Sequence, residues 1–226
     1  MRPELLRVGA GAHPLVVVDD FGGDPAGVVE IAAALAPFPR SDTYYPGLRR
    51  LIGPEDEAAD AYVVATLERA GPFIAGAFDA DRFELIEASF SMVTDLPDRL
   101  APAQRAPHFD STDPEQLAIL HYLGGTERTG TAFYRQRSTG IETVDEANLD
   151  RFVAAAKAES AQLSGYTSGS NAFFDQIAAI DGVRDRLIIY RGSMLHSGII
   201  PPDLPFDPDP RCGRLTANIF VRLKRG

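Results

Sequence analysis

The sequence predicts an α+β protein, with helices first and a mostly β core after them, a sandwich or barrel decorated by helices. Three observations carry this. Apolar residues recur at helical spacing through much of the first third. β-branched and alternating runs dominate the rest, and a helical stretch interrupts them. The chain has 226 residues, 45% of them apolar, enough for one sizeable core.

In chain order, PLVVVDDF (14–21) is a β-branched run and reads as a strand. DPAGVVEIAAALAPF (24–38) opens on Asp-Pro and carries the apolar spacing of a helix. SDTYYPGLRRLIG (41–53) is turn-rich and aromatic. Residues 54–78 read as one or two helices, with acids in front and Gly-Pro as a break. RFELIEASFSMVTD (82–95) alternates Ile86, Ala88, Phe90 and Met92 with Glu87, Ser89 and Ser91, the period of a strand. Strands are also expected at 116–125, 130–137 and 214–223. DRLIIYRGSMLHSG (185–198) reads as strand, tight turn at Arg191-Gly192, strand. Residues 145–163 and NAFFDQIAAI (171–180) read as helices, a helical insertion near 145–180. The proline- and acid-rich stretch 200–213 is loop. No repeat or linker divides the chain, so one domain over 1–226 is expected, with 1–81 a helical N-terminal support and 82–226 the core.

The formal net charge of −10 would repel a phosphate backbone, so nucleic acid is not an expected partner. Cys212 is the only cysteine, which excludes an intrachain disulfide and a cysteine-rich zinc site. The apolar runs are too short to span a bilayer, and the N-terminus lacks the apolar run of a signal peptide. A cytoplasmic protein without a membrane partner is expected.

RAPHFDST (105–112) places His108 and Asp110 two apart. Side chains at i and i+2 of an extended segment point the same way, so both can grip one metal. Two histidines and a carboxylate suit non-haem iron(II) and leave coordination positions open. Three other histidines compete for the third place. His13 lies in a loop with no partner motif, and His121 sits in an apolar strand where a core or supporting role fits better. His196, in GSMLHSG, can face an earlier strand across a sandwich and is the choice. An HxD triplet alone is common by chance.

The ordered set PHFD, LAILHYL, GTAFY, RGSMLHSG and RLTANIFV, over residues 107–223, is more specific. It resembles the iron(II)- and 2-oxoglutarate-dependent dioxygenases, in particular their prolyl-hydroxylase-like branch. Within that superfamily it is similar to an uncharacterised bacterial family marked by PHFDS, HYL and GTAFYR. The resemblance implies a double-stranded β-helix core (jelly roll, cupin-like) behind the N-terminal helices. It implies His108, Asp110 and His196 as the catalytic metal ligands. It also implies Arg214 as partner of the distal carboxylate of 2-oxoglutarate, with Thr216 as the assisting hydroxyl. Arg214 and Thr216 are two apart on an expected strand and can face one pocket, and a guanidinium fork suits a carboxylate. The other reading of Arg214 is a surface ion pair with the acidic 203–209 loop. Tyr122 matches a tyrosine that bonds the cosubstrate, and core packing is its other reading. Tyr134 either lines the pocket or sits outside it. The chain departs from the family in a long His196–Arg214 gap, in one glycine before the GTAFY strand, and in the length of the insertion. The gap holds 200–213 as a lid or a surface excursion.

The implied activity is a Fe(II)- and 2-oxoglutarate-dependent oxygenase. It would hydroxylate an unactivated C–H bond of a small molecule, amino acid or peptide, consuming O2 and releasing succinate and CO2. Asp110 favours hydroxylation over halogenation, because the related halogenases lack this carboxylate and bind chloride in its place. Two other classes stand beside it: a non-catalytic metal- or ligand-binding jelly roll, and a cupin-like metalloenzyme without 2-oxoglutarate. DTYYPGLRR (42–50), with Tyr44, Tyr45, Arg49 and Arg50, is either a wall of the substrate pocket or an exposed loop with half-buried tyrosines. Arg105 has the same two readings.

Overall fold

The computed structural model describes residues 1–125 and 128–224. The chain opens with β1 (Arg2–Val8), β2 (His13–Asp19), α1 (Pro25–Ala34), β3 (Gly47–Leu51), α2 (Glu57–Phe78) and β4 (Arg82–Val93). Short α3 (Pro102–Arg105) precedes β5 (Gln116–Gly124), β6 (Gly130–Gln136) and α4 (Leu149–Ser160). β7 (Phe174–Asp181), β8 (Leu187–Arg191), β9 (His196–Ile199) and β10 (Leu215–Lys224) complete it.

The strands form two antiparallel sheets, a seven-stranded one in the order β1-β2-β8-β5-β10-β4-β3 and a three-stranded one in the order β7-β6-β9. This is the jelly-roll arrangement that the resemblance implies. Alternation decides what each face meets. In β10, Leu215, Ala217, Ile219, Val221 and Leu223 are buried on the outer face with residues of α1 and α2. Thr216, Asn218 and Phe220 therefore turn inward, toward the small sheet. Helix α2 buries Val63, Ala70, Ile74 and Phe78 against Val16, Val18, Ile119 and Ile189. Phe78→Ala at this seam should cost about 3–5 kcal/mol, the usual penalty for a buried Phe truncated to Ala. The inner core joins Leu15, Val17, Ala118, Tyr122, Ile188 and Tyr190 of the large sheet to Phe133 and Ile180 of the small one. No described helix is long and apolar enough to cross a membrane.

The N-terminal third is less purely helical than expected. β1 pairs along its whole length with β2, and β3 forms the far edge of the same sheet inside a stretch read as turns. The stretch 54–78 holds one helix, Glu57–Phe78, with Pro72 inside it. The largest difference is 171–180, read as helix but forming strand β7 against β6. The Asn171 side chain accepts from the backbone N–H of Phe173 and Phe174, both at 2.9 Å, a turn that mimics a helix start. The register with β6 then slips past Ile177, so the apolar residues lose the period of two. The helix of the insertion is confined to Leu149–Ser160. Ile86, which shares the alternation of Ala88, Phe90 and Met92, is 49% exposed, because the β4–β10 register skips it at a bulge between Phe220 and Val221.

Candidate metal and cosubstrate site

The segment around His108 is laid along the free side of β9. His108 N–H donates to the His196 carbonyl and His196 N–H to the His108 carbonyl, both at 2.8 Å. Asp110 N–H donates to the Gly192 carbonyl at 2.7 Å. Main-chain bonds thus bring together three side chains distant in sequence. One ligand atom from each of His108, Asp110 and His196 lies within 4.8 Å of the others, and no other such group of His, Cys, Asp and Glu is found among the described residues.

His196 Nδ1 lies 2.8 Å from the Met194 carbonyl and donates to it, which leaves the Nε2 lone pair free, 3.6 Å from Asp110 Oδ2. Asp110 Oδ1 is 3.9 Å from His108 Nε2. Burial pushes His196 down to about 4, against the pull of the Met194 carbonyl. Desolvation and then the neighbouring His196 lower His108, with Asp110 opposing, although solvent at its 55% exposed side chain tempers the effect. Both imidazoles are therefore neutral near pH 7 and present lone pairs. Burial raises Asp110 to about 6, with His108 and Arg49 opposing. Asp110 Oδ2 is buried with no hydrogen bond, a cost that a bound cation would remove. The donor set fits a divalent transition metal.

The other histidines lie elsewhere. His121 faces outward from the large sheet, its Nδ1 2.9 Å from Tyr62 Oη and its Nε2 3.0 Å from Asp185 Oδ1. Asp185 also accepts from Gly22 and Gly23 N–H at 2.7 and 2.8 Å. A cavity of about 220 Å³ between α1 and α2 borders this network, on the opposite side of the sheet from Tyr122. His13 stands in the β1–β2 hairpin, outside the group.

A row of inward residues crosses the large sheet: Arg49 opposite Ser91, Ser91 opposite Thr216, Thr216 opposite Tyr122. Arg214, one residue before β10, is only 5% exposed. Its guanidinium lies 6.0 Å from the centre of the Tyr122 ring, and its one hydrogen bond among the described residues, to the Gly130 carbonyl, is long at 3.4 Å. Arg214 Nε has no partner, and among the described residues no carboxylate pairs with it. Among the described residues no carboxylate of the 203–209 loop pairs with it, and Asp203 pairs with Arg128 instead. A buried unpaired guanidinium is costly, and a carboxylate ligand would satisfy it. Thr216 Oγ1 is 3.5 Å from the Ser91 carbonyl. The Tyr122 hydroxyl is 2.7 Å from Thr131 Oγ1, and burial raises it to about 12.

Tyr45 joins this group. Its hydroxyl is buried without a partner, as are those of Ser91 and Tyr134. Burial raises Tyr45, and the charges of Arg214, then Arg49, and the nearby Thr216 hydroxyl pull it back. Tyr44 next to it is 76% exposed. Loop 200–213 packs Ile200 and Leu204 against Val93, with Tyr45, Tyr166 and Phe206 alongside, so it walls this end of the roll. Arg50 pairs outward with Asp56 at 2.7 Å. Arg105 donates to the carbonyls of Leu100 and Leu163 and braces the loop before the metal group. The sequence alone leaves Tyr45 undecided, and its one signal is an aromatic pair just before a segment that pairs with the site's own sheet.

No curated protein matches the chain. Solved structures do, at low identity. One is HygX from Streptomyces hygroscopicus with nickel and 2-oxoglutarate bound, at 11% identity over 93% of this chain and 83% of that one, TM-score 0.57. Another is the epimerase SnoN of nogalamycin biosynthesis in complex with Fe3+, alpha ketoglutarate and nogalamycin RO, at 14% identity over 96% and 79%, TM-score 0.53. A third is the viral collagen prolyl hydroxylase of Paramecium Bursaria Chlorella virus-1, at 15% identity over 100% and 95%, TM-score 0.50. The likeness is one of fold. The family model for DUF6445, a family of unknown function, matches residues 1–221, and the chain belongs to that family.

Proposed function

We propose that the protein is a non-haem Fe(II)- and 2-oxoglutarate-dependent oxygenase that hydroxylates an unactivated C–H bond. His108, Asp110 and His196 hold the metal. Arg214 receives the distal carboxylate of 2-oxoglutarate, with Thr216 and Tyr122 beside it. One observation carries this reading: buried Arg214, with no carboxylate of its own, opens on the same interior as the His-Asp-His group.

The metal, when bound, supplies the activation of O2 that the side chains cannot. One oxygen atom goes to succinate as CO2 leaves, and the other to the substrate carbon as its hydroxyl. The chain's own part is positional. The Met194 carbonyl fixes the His196 tautomer, and the paired main chains of 108 and 196 fix the spacing of the two rings. Arg214 sets the cosubstrate's orientation, and the inward faces of Tyr122 and Phe133 exclude water.

The test is anaerobic addition of Fe(II) and 2-oxoglutarate, read by the weak visible charge-transfer band of the chelate. The band should appear in the wild type and be lost in His196→Ala and Arg214→Ala. A wild type with no band at saturating ligand ends the reading.

A further inference from the structure

A second arginine opens on the same interior, and it is not alone. Arg49 Nη2 pairs with Glu87 Oε1, and Arg49 Nε donates to Ser89 Oγ at 3.1 Å. Its guanidinium carbon is 6.0 Å from the centre of the Phe220 ring. The group is therefore held on three sides. Glu87 stands opposite Phe220 and Arg49 opposite Ser91, so both point inward with Thr216 and Tyr122. Their side chains are 16% (Arg49) and 37% (Glu87) exposed, so the pair lines the way in, not the floor. Arg49 Nη1 and Glu87 Oε2 make no hydrogen bond with the described residues.

The two arginines ask for different ligands. Arg214 is a lone cation and suits an anion. The Arg49–Glu87 pair is neutral overall, with one donor end and one acceptor end unused. A simple anion would meet Glu87 as a repulsion, and a simple cation would meet Arg49. An uncharged ligand would desolvate both groups and return too little. A zwitterion with carboxylate and ammonium on neighbouring atoms answers both ends with charge-assisted hydrogen bonds.

We propose that Arg49 and Glu87 form the subsite for the ammonium and carboxylate of a free α-amino acid, the substrate class of the oxygenase proposed above. The subsite rests on that reading for its purpose, and its binding can be measured without it. Ligand-observed saturation-transfer NMR on the metal-free protein is the assay. The probes are a pool of free L-amino acids, the same pool N-acetylated, the same pool as methyl esters, and a mixed peptide pool.

Transfer to one or a few free amino acids is expected, with none to the blocked pools. Arg49→Gln and Glu87→Gln should each weaken that binding about tenfold or more, the loss of one charge-assisted bond. The double variant R49E/E87R keeps an ion pair for the fold and reverses its polarity. It should keep the wild-type melting temperature and lose the binding. Equal binding of a blocked pool or peptides, no binding of any pool, or binding untouched by these variants overturns the subsite. Loss of the Fe(II)/2-oxoglutarate band with amino-acid binding intact would fault the oxygenase reading alone.

Discussion

His108 and His196 are joined through their main chains, each N–H donating to the other's carbonyl at 2.8 Å. The separation of the two rings is therefore set by backbone, and either imidazole can be removed without breaking that link. His108→Ala and His196→Ala should remain folded and lose metal affinity by at least about 100-fold, beyond the 10–100-fold typical of a lost supporting contact. Titration with Fe(II) or Mn(II), followed calorimetrically, checks this, with circular dichroism as the control for folding.

Arg214 makes the opposite kind of prediction, because its burial costs stability until a ligand arrives. Arg214→Met should melt at or above the wild-type temperature without ligand. The wild type with metal should gain about 2.7 kcal/mol at 2-oxoglutarate a hundredfold above its Kd, and the variant almost nothing. Thermal melts with and without 2-oxoglutarate separate the two. Equal stabilisation of both proteins would remove Arg214 from the cosubstrate site.

Tyr45→Phe should behave as a smaller version of the same trade. Removing a buried hydroxyl without a partner should raise the stability of the ligand-free protein by about 1 kcal/mol. Affinity for 2-oxoglutarate should fall if that hydroxyl meets the ligand beside Arg214. Denaturant midpoints give the first number, and titration of the chelate band the second.

The His121–Asp185 contact belongs to stability, not to the metal. Burial acts to raise Asp185. Its hydrogen bonds from His121, Gly23 and Gly22 outweigh that and hold it below its ordinary 3.8. A carboxylate depressed by folding stabilises the protein above its unfolded value, and that stabilisation fades as pH falls below it. Asp185→Asn should cost about 2–3 kcal/mol at pH 7. The difference from wild type should shrink below about pH 4, read from denaturant midpoints across pH 3–7. Metal affinity at pH 7 should not change.

Much of this site is written in short, local patterns. His108 and Asp110 are two apart, Arg214 and Thr216 are two apart, and an i,i+2 spacing states a shared face without knowledge of the fold. What escaped depends on pairing between distant segments. Residues 171–180 read as a helix and Ile86 reads as one beat of a regular alternation, yet Ile177 and Ile86 each sit where a register slips, and a slip is a property of two strands. Arg49 and Tyr45 carry no motif, and they gain meaning only because β3 pairs with β4 and so enters the row through Ser91 and Thr216. Tyr122 and His121 show the same limit. Adjacent in sequence, they face opposite sides of one sheet, and only the packing of α2 decides which side is which.

The segment carrying His108 and Asp110 has a second consequence, which concerns behaviour in concentrated solution. β9 is the terminal strand of the small sheet, and the bridge from His108 to His196 covers its open edge at the first residue. An uncovered strand edge is a template for pairing with another molecule. Substitutions that detach residues 106–111, such as a proline at Asp110, whose N–H holds the Gly192 carbonyl, would expose that template. Such variants should aggregate before they unfold, and the same few residues that prepare a metal site also keep one copy of the protein from sticking to the next.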